Sequence, residues 1–351
     1  MLLFFLSIII PMLTLYAYQN APTEFVLGIL LNFNFIMIFL ISLPKFKFLI
    51  LDKSIILLVK VSIVCIYFYV YLFLIFSGGL TRFNLNLAEV YEVRELYLLT
   101  TAPMLNYFIS WIANVFNMTL LVWGMYKRKK SFIIWAILLQ ILIFGMTNFK
   151  TFLFAPVLVV FVYLWIKKKN ILLYSSLSVL MVMLFVYIVF LVTETQQWAS
   201  MLIRRQFFTP SNIHMLYYDF FSQTSNPLIY LSNSILEGII EYPYDLSVTR
   251  LISQEYWGNF FGANVGFFAD AYSNFGFIGM FIFSVVLALI LKLIDSFTIY
   301  LPENLVASII VLPSFSLINS AFFTTLLTHG FIVAILMLFI LTSIIKKEGR
   351  V

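Results

Sequence analysis

The sequence predicts an all-α polytopic membrane protein of about ten transmembrane helices with a large helical extracytoplasmic loop. Three observations carry that prediction. Of the 351 residues, 63% are hydrophobic and 10% charged, whereas roughly a quarter of a soluble domain is charged. Apolar runs of about 17 to 25 residues, the length that crosses a bilayer as a helix, recur along the chain. The basic residues also sort by type: alternate runs place all lysines except Lys150 on one side, and five of the seven arginines on the other.

Taken in order, the expected spans are 1–18, 25–43, 54–77, 103–125, 131–147, 151–166, 171–193, 274–294, 304–320 and 328–345. The first run lacks a basic flank and a small-x-small cleavage site, so it is expected to be retained. Lys45, Lys47 and Lys53 follow the second span, and Lys127 to Lys130 follow the fourth. Lys167 to Lys169 follow the sixth, Lys292 closes the eighth, and Lys346, Lys347 and Arg350 end the chain. The positive-inside rule puts these clusters, and both termini, in the cytoplasm. The net charge of +6 is this lysine excess, so nucleic acid is not an expected partner. The single cysteine, Cys65, excludes an internal disulfide and a cysteine-cluster metal site.

Residues 1–351 are read as one integral membrane domain with two large outer segments, 78–102 and 194–273. Eleven of the fifteen acidic residues and both histidines, His214 and His329, fall on that outer side. A segment of about eighty residues is too long for a plain connection, and its aromatic content argues against disorder. Glu194–Phe208 reads as an amphipathic helix carrying Arg204 and Arg205. Thr209-Pro210 reads as the cap and first position of the next helix, with His214, Tyr217 and Tyr218. A helix over Ile235–Tyr242 would place Glu237 and Glu241 on one face. Asp270 and Asn274 sit one turn apart where the segment enters the eighth span, and an ionisable residue at a membrane boundary is costly and usually functional.

Arginine is planar, permanently charged and bidentate, which suits phosphate or carboxylate recognition. Arg94, Lys150, Arg204, Arg205 and Arg250 are therefore candidate anion-binding residues, and Arg82 has no neighbouring motif. Asp270, Glu92, Glu237 and His214 are candidate bases, within reach of the task by residue type. Structural alternatives stand beside each: a helix cap for Asp270, a core histidine for His214, a surface ion pair for any arginine.

At these residues the chain resembles the bacterial O-antigen and capsular repeat-unit polymerases, the Wzy family. The resemblance rests on Glu89-Val90-Tyr91-Glu92-Val93-Arg94, on Arg204-Arg205 with Phe208 and Pro210, and on Asn264-Val265-Gly266-Phe267 with Asp270-Ala271-Tyr272-Ser273-Asn274-Phe275-Gly276. It implies a GT-C-like fold in the bacterial inner membrane and a metal-independent, inverting glycosyl transfer without cofactors. Undecaprenyl-pyrophosphate-linked oligosaccharides would be donor and acceptor, with membrane lipids, a chain-length regulator and a flippase as partners. It adds Asn264, Tyr272 and Asn274 to the substrate-binding candidates. An O-antigen ligase-like transferase is the nearest alternative, followed by a flippase or transporter and a non-catalytic scaffold. A transporter should carry ionisable residues along its spans, and these are nearly charge-free.

Overall fold

A computed structural model describes residues 1–19, 21–48, 51–87, 89–166 and 170–349. The lysines at 167–169 and Arg350 lie outside the described residues. The chain is 77% helical, with no strand among the described residues. Among the described residues, eight helical stretches are long and apolar enough to cross a membrane: α1 (Leu2–Gln19), α2 (Thr23–Ser42), α3 (Lys53–Gly79), α5 (Leu105–Lys127), α6 (Lys130–Thr147), α8 (Ile171–Thr193), α12 (Phe267–Ile299) and Phe322–Lys347, which is made of α14 (Phe322–Leu327) and α15 (Phe331–Lys347). A short helix, α4 (Val90–Leu98), lies between α3 and α5.

Two expected spans are shorter apolar helices, α7 (Lys150–Trp165) and α13 (Glu303–Asn319). At 1.5 Å per residue they reach about 24 and 26 Å, short of a hydrocarbon core of about 30 Å. Each contains a proline, Pro156 or Pro313. Between α8 and α12 the long segment holds α9 (Ala199–Phe208), α10 (Thr209–Ser222) and α11 (Val248–Trp257). The chain divides into two compact units.

The first unit comprises Met1–Pro44, Asn170–Leu293 and Phe315–Phe323. Phe267 and Phe268 of α12 are wholly buried, and Phe322 meets Phe267 edge-on at 5.2 Å. Phe4 of α1 packs on both at 6.0 and 5.5 Å. Edge-to-face pairs of this kind add to area burial. Gly266 makes this approach feasible, because a Cβ there would stand 2.2 Å from the Ile318 carbonyl oxygen. Only 6% of the most apolar stretch of α8 is buried, so its apolar surface faces outward all round, as a lipid-facing helix requires.

The second unit comprises Lys45–Lys169, Ile294–Ser314 and Thr324–Val351. A buried polar chain ties four of its helices. The Tyr67 hydroxyl donates to Asn117 Oδ1 at 2.6 Å, Asn117 Nδ2 to Gln140 Oε1 at 2.8 Å, and Gln140 Nε2 to the Phe152 carbonyl at 2.7 Å. The last acceptor follows from Pro156. A helical carbonyl is served by the N–H four residues on, and proline has none. In a membrane such a freed carbonyl must be satisfied by a neighbouring helix; Gln140 does so. Cys65 is exposed on α3.

Candidate functional site

In the long segment, the π-helical turns of α9 run straight into α10: Phe208 and Thr209 both keep right-handed helical angles. Thr209 is therefore not the cap of a new helix. Pro210 cannot donate to a carbonyl four residues back, and the Thr209 N–H bonds to the Arg204 carbonyl, five residues back. The wider π-helical turn thus absorbs the missing donor, as π-bulges do inside helices. Trp198 and Met201 stay exposed beside the arginines, the composition of a helix lying in a membrane interface.

Arg204, Arg205 and Arg250 are exposed, and their guanidinium groups have no partner among the described residues. His214, one turn into α10, is wholly buried. Its Nδ1 donates to the Pro210 carbonyl at 2.7 Å, while Nε2 has no partner among the described residues. Burial pushes its pKa down to about 4, against the smaller opposing effect of the backbone bond. A neutral imidazole sealed this way is a packing element.

Ile235–Tyr242 does not form a helix. It is a series of turns with an isolated bridge between Glu237 and Ile240, because Gly238 takes φ +80° and breaks the helical repeat. The turns enclose an open cavity of about 670 Å³, bordered by Glu237, Glu241, Asp245, Ser232, Ser247 and Tyr242. Glu237 and Glu241 thus both border one cavity instead of sharing a helix face. Tyr242 donates to the Leu246 carbonyl at 2.8 Å, and burial, then Tyr244, raises its pKa to about 12.

Tyr217 of α10 is 1% exposed, and its hydroxyl donates to the Ala263 carbonyl at 2.9 Å. Burial first, then the nearby Asp270 and Tyr242, push its pKa well up. Asp270 Oδ2 accepts the Phe322 N–H at 2.8 Å and so caps α14 from a distant part of the chain. Asn274 does share its face. Asn274 Nδ2 donates to the Asp270 carbonyl at 2.8 Å, and Oδ1 accepts the Leu231 N–H at 2.8 Å.

Beside that bond lies a break in α12. Phe275 (φ −142°, ψ 19°) and Gly276 (φ 62°, ψ −147°) leave helical geometry, which frees the carbonyls before them. Ser273 and Asn274 carbonyls then accept the Ile229 and Tyr230 N–H groups at 3.0 and 3.2 Å. Tyr272 is buried among Phe25, Tyr218 and Phe277. Asn274 and Tyr272 thus shape the segment from inside, whereas Asn264 is exposed in the irregular stretch before α12. Sequence reasoning did not single out the Glu24–Tyr218 and Asp219–Tyr256 hydrogen bonds; neither partner lies near the other in sequence.

In the second unit, α4 lies over the turn between α6 and α7. Arg94 stacks on Phe149 at 4.8 Å and Lys150 on Tyr91 at 4.7 Å, so two predicted anion binders are held on neighbouring rings. Glu92 is exposed on the same helix. Arg82 is structural: Nε and Nη1 donate to the Met146 and Ser77 carbonyls at 3.1 and 3.0 Å, tying the end of α3 to the end of α6. Glu89 is held by the amides of Asn84 and Asn86 at 2.6 and 2.7 Å.

The fold and these segments define a polytopic, all-helical membrane protein with a structured polar segment between α8 and α12. The chain matches no family model, and no curated protein or solved structure matches it significantly.

Proposed function

We propose that the protein polymerises undecaprenyl-pyrophosphate-linked oligosaccharide repeat units into O-antigen or capsular polysaccharide at the outer face of the inner membrane. On this reading the two shorter apolar helices also cross, giving ten spans with both termini cytoplasmic and the long segment outside. One observation carries it: the long segment is folded, bears an open carboxylate- and hydroxyl-rimmed cavity, and presents Arg204, Arg205 and Arg250 without a partner among the described residues.

The chemistry suits those groups. An acceptor sugar hydroxyl attacks the anomeric carbon of the donor chain. A new C–O bond forms with inversion, and the bond to undecaprenyl pyrophosphate breaks. Pyrophosphate is a good leaving group, so cations that neutralise its developing charge matter most. The three free guanidiniums supply them, with Arg94 and Lys150 as further candidates. Glu237 on the cavity rim is the candidate to take the hydroxyl proton, with Asp270, one oxygen of which is held by the Phe322 N–H, and Glu92 as the other carboxylate candidates. His214 is less suited to that task, being buried and barely basic.

Gel analysis of surface polysaccharide from a deletion strain, complemented with wild type, Arg204→Ala or Arg205→Ala, tests the proposal. Deletion should leave single repeat units, wild type should restore the ladder, and each variant should abolish long polymer. Normal ladders in both variants would remove the arginines from the mechanism. Transfer to lipid A core without chain growth would identify a ligase instead.

A further inference from the structure

Two adjoining hollows run along α3, α5 and α15, all within the second unit. The first, about 380 Å³, opens at the helix ends and is lined by Lys53, Lys60, Lys347, Glu348 and the apolar side chains between them. The second, about 280 Å³, continues deeper and is almost wholly apolar, with Phe116, Trp123, Phe132 and Met337 among its walls. Lys60 and Ile344 line both, so the lysine stands where the polar mouth becomes an apolar cleft.

Lys60 lies seven residues into α3, about 10 Å from Lys53 along the axis. A charge inside a span is costly and snorkels or finds a counter-charge. Among the described residues Lys60 has neither an ion pair nor a hydrogen bond. The carboxylate at the mouth is already taken, because Glu348 pairs with Lys127. Lys347 donates to the Leu51 carbonyl at 2.7 Å, which leaves its charge uncompensated. Among its described lining residues the mouth therefore carries three lysines and no free carboxylate.

A second observation points the same way. Thr119, 3% exposed, lines the apolar cleft, and its hydroxyl has no partner among the described residues. A helical threonine ordinarily bonds back to a carbonyl one turn earlier. Here the π-helical turn Ile112–Phe116 precedes it, and such turns concentrate at functional sites. The opposite wall is fixed, since the Tyr67 hydroxyl is committed to Asn117.

We propose that this cleft binds an anionic phospholipid, its phosphate held by Lys53, Lys60 and Lys347 and an acyl chain lying in the apolar cleft past Thr119. A cationic mouth opening on a lipid-accessible apolar groove complements an amphiphile with an anionic head, and not a free anion. On the proposed orientation the occupant comes from the cytoplasmic leaflet.

Native mass spectrometry of the purified full chain, equilibrated with equal phosphatidylglycerol and phosphatidylcholine, tests this. Wild type should retain phosphatidylglycerol preferentially. Lys60→Gln should lose about fivefold in that preference, as one lysine at a lipid surface is worth. Lys60→Arg should keep it, and so should Arg128→Gln, a cation outside the cleft. Equal retention of the two lipids by wild type, or an unaltered preference in Lys60→Gln, would overturn the proposal. An independent reading needs no variant at the lysines. Phosphatidylglycerol brominated on its acyl chains should quench the Trp123 fluorescence, taken as wild type minus Trp123→Phe, more than brominated phosphatidylcholine does. Equal quenching would also overturn it. Displacement of the lipid by millimolar glycerol phosphate as readily as by phosphatidylglycerol would show that the apolar cleft contributes nothing and would sink the acyl-chain assignment.

Discussion

Replacing Gly276 by alanine isolates the break in α12 from every steric effect. Its angles, φ 62° and ψ −147°, lie in a region essentially restricted to glycine, where another residue is strained by about 1–3 kcal/mol. A Cβ there would meet only Leu228 Cδ1, at 3.9 Å, so backbone strain is the whole cost. Relief comes by straightening the helix, and that withdraws the Ser273 and Asn274 carbonyls from Ile229 and Tyr230. Tyr230 and Leu231 themselves hold φ 54° and 60°, a conformation that the anchoring bonds sustain. A strain of about 1–3 kcal/mol corresponds to about 5- to 150-fold in the open population. Hydrogen–deuterium exchange should therefore speed up by that factor at the amides of 229–231, with long polymer reduced in the same strain. Gly258→Ala serves as comparison: Gly258 is an ordinary left-handed helix end, φ 64° and ψ 23°, and its substitution should leave 229–231 protected. Exchange at 229–231 within twofold of wild type in Gly276→Ala would refute the claim that the break anchors the loop.

Two further outcomes are expected. The His214 pKa is lower in the folded protein, about 4, than the ordinary histidine value of 6.5. Its contribution to stability is thus complete above pH 6.5 and lost as pH falls towards 4, by about 2–3 kcal/mol at pH 4.5. Thermal unfolding in detergent at pH 7 and 4.5 measures it, and an equal acid loss in His214→Gln would remove the histidine as the cause. Asp270 separates capping from chemistry: Asp270→Asn keeps an acceptor for the Phe322 N–H, whereas Asp270→Ala costs about 1 kcal/mol as a lost cap. Loss of polymer in Asp270→Asn with unchanged unfolding temperature would mark a chemical role; parallel loss of both properties in Asp270→Ala alone would mark a cap.

Much of this protein is written locally. Hydropathy and length alone locate the long helices, since a bilayer imposes both on each segment separately. The shared face of Asp270 and Asn274 followed from helical spacing, and the aromatic content of 194–273 marked it as folded. Pro210, Gly238 and Gly276 were visible as residues, but their consequences were not. A proline after a helix reads as a start signal, yet the chain in this fold keeps turning and lets a wider turn absorb the missing donor. Gly238 ended an apparent helix whose two glutamates still border one cavity. Only the tertiary structure decided which polar groups are spent: Arg82, Glu89, Asn274 and one oxygen of Asp270 on backbone and amide partners, Gln140 on the carbonyl that Pro156 frees. The physical reason is the same throughout. Burial and pairing depend on what packs across the fold, and residues 52 or 64 positions apart leave no periodic trace in the sequence. The sorting of lysine from arginine was there from the outset; that Arg204, Arg205, Arg250 and Lys60 have no partner among the described residues required the fold.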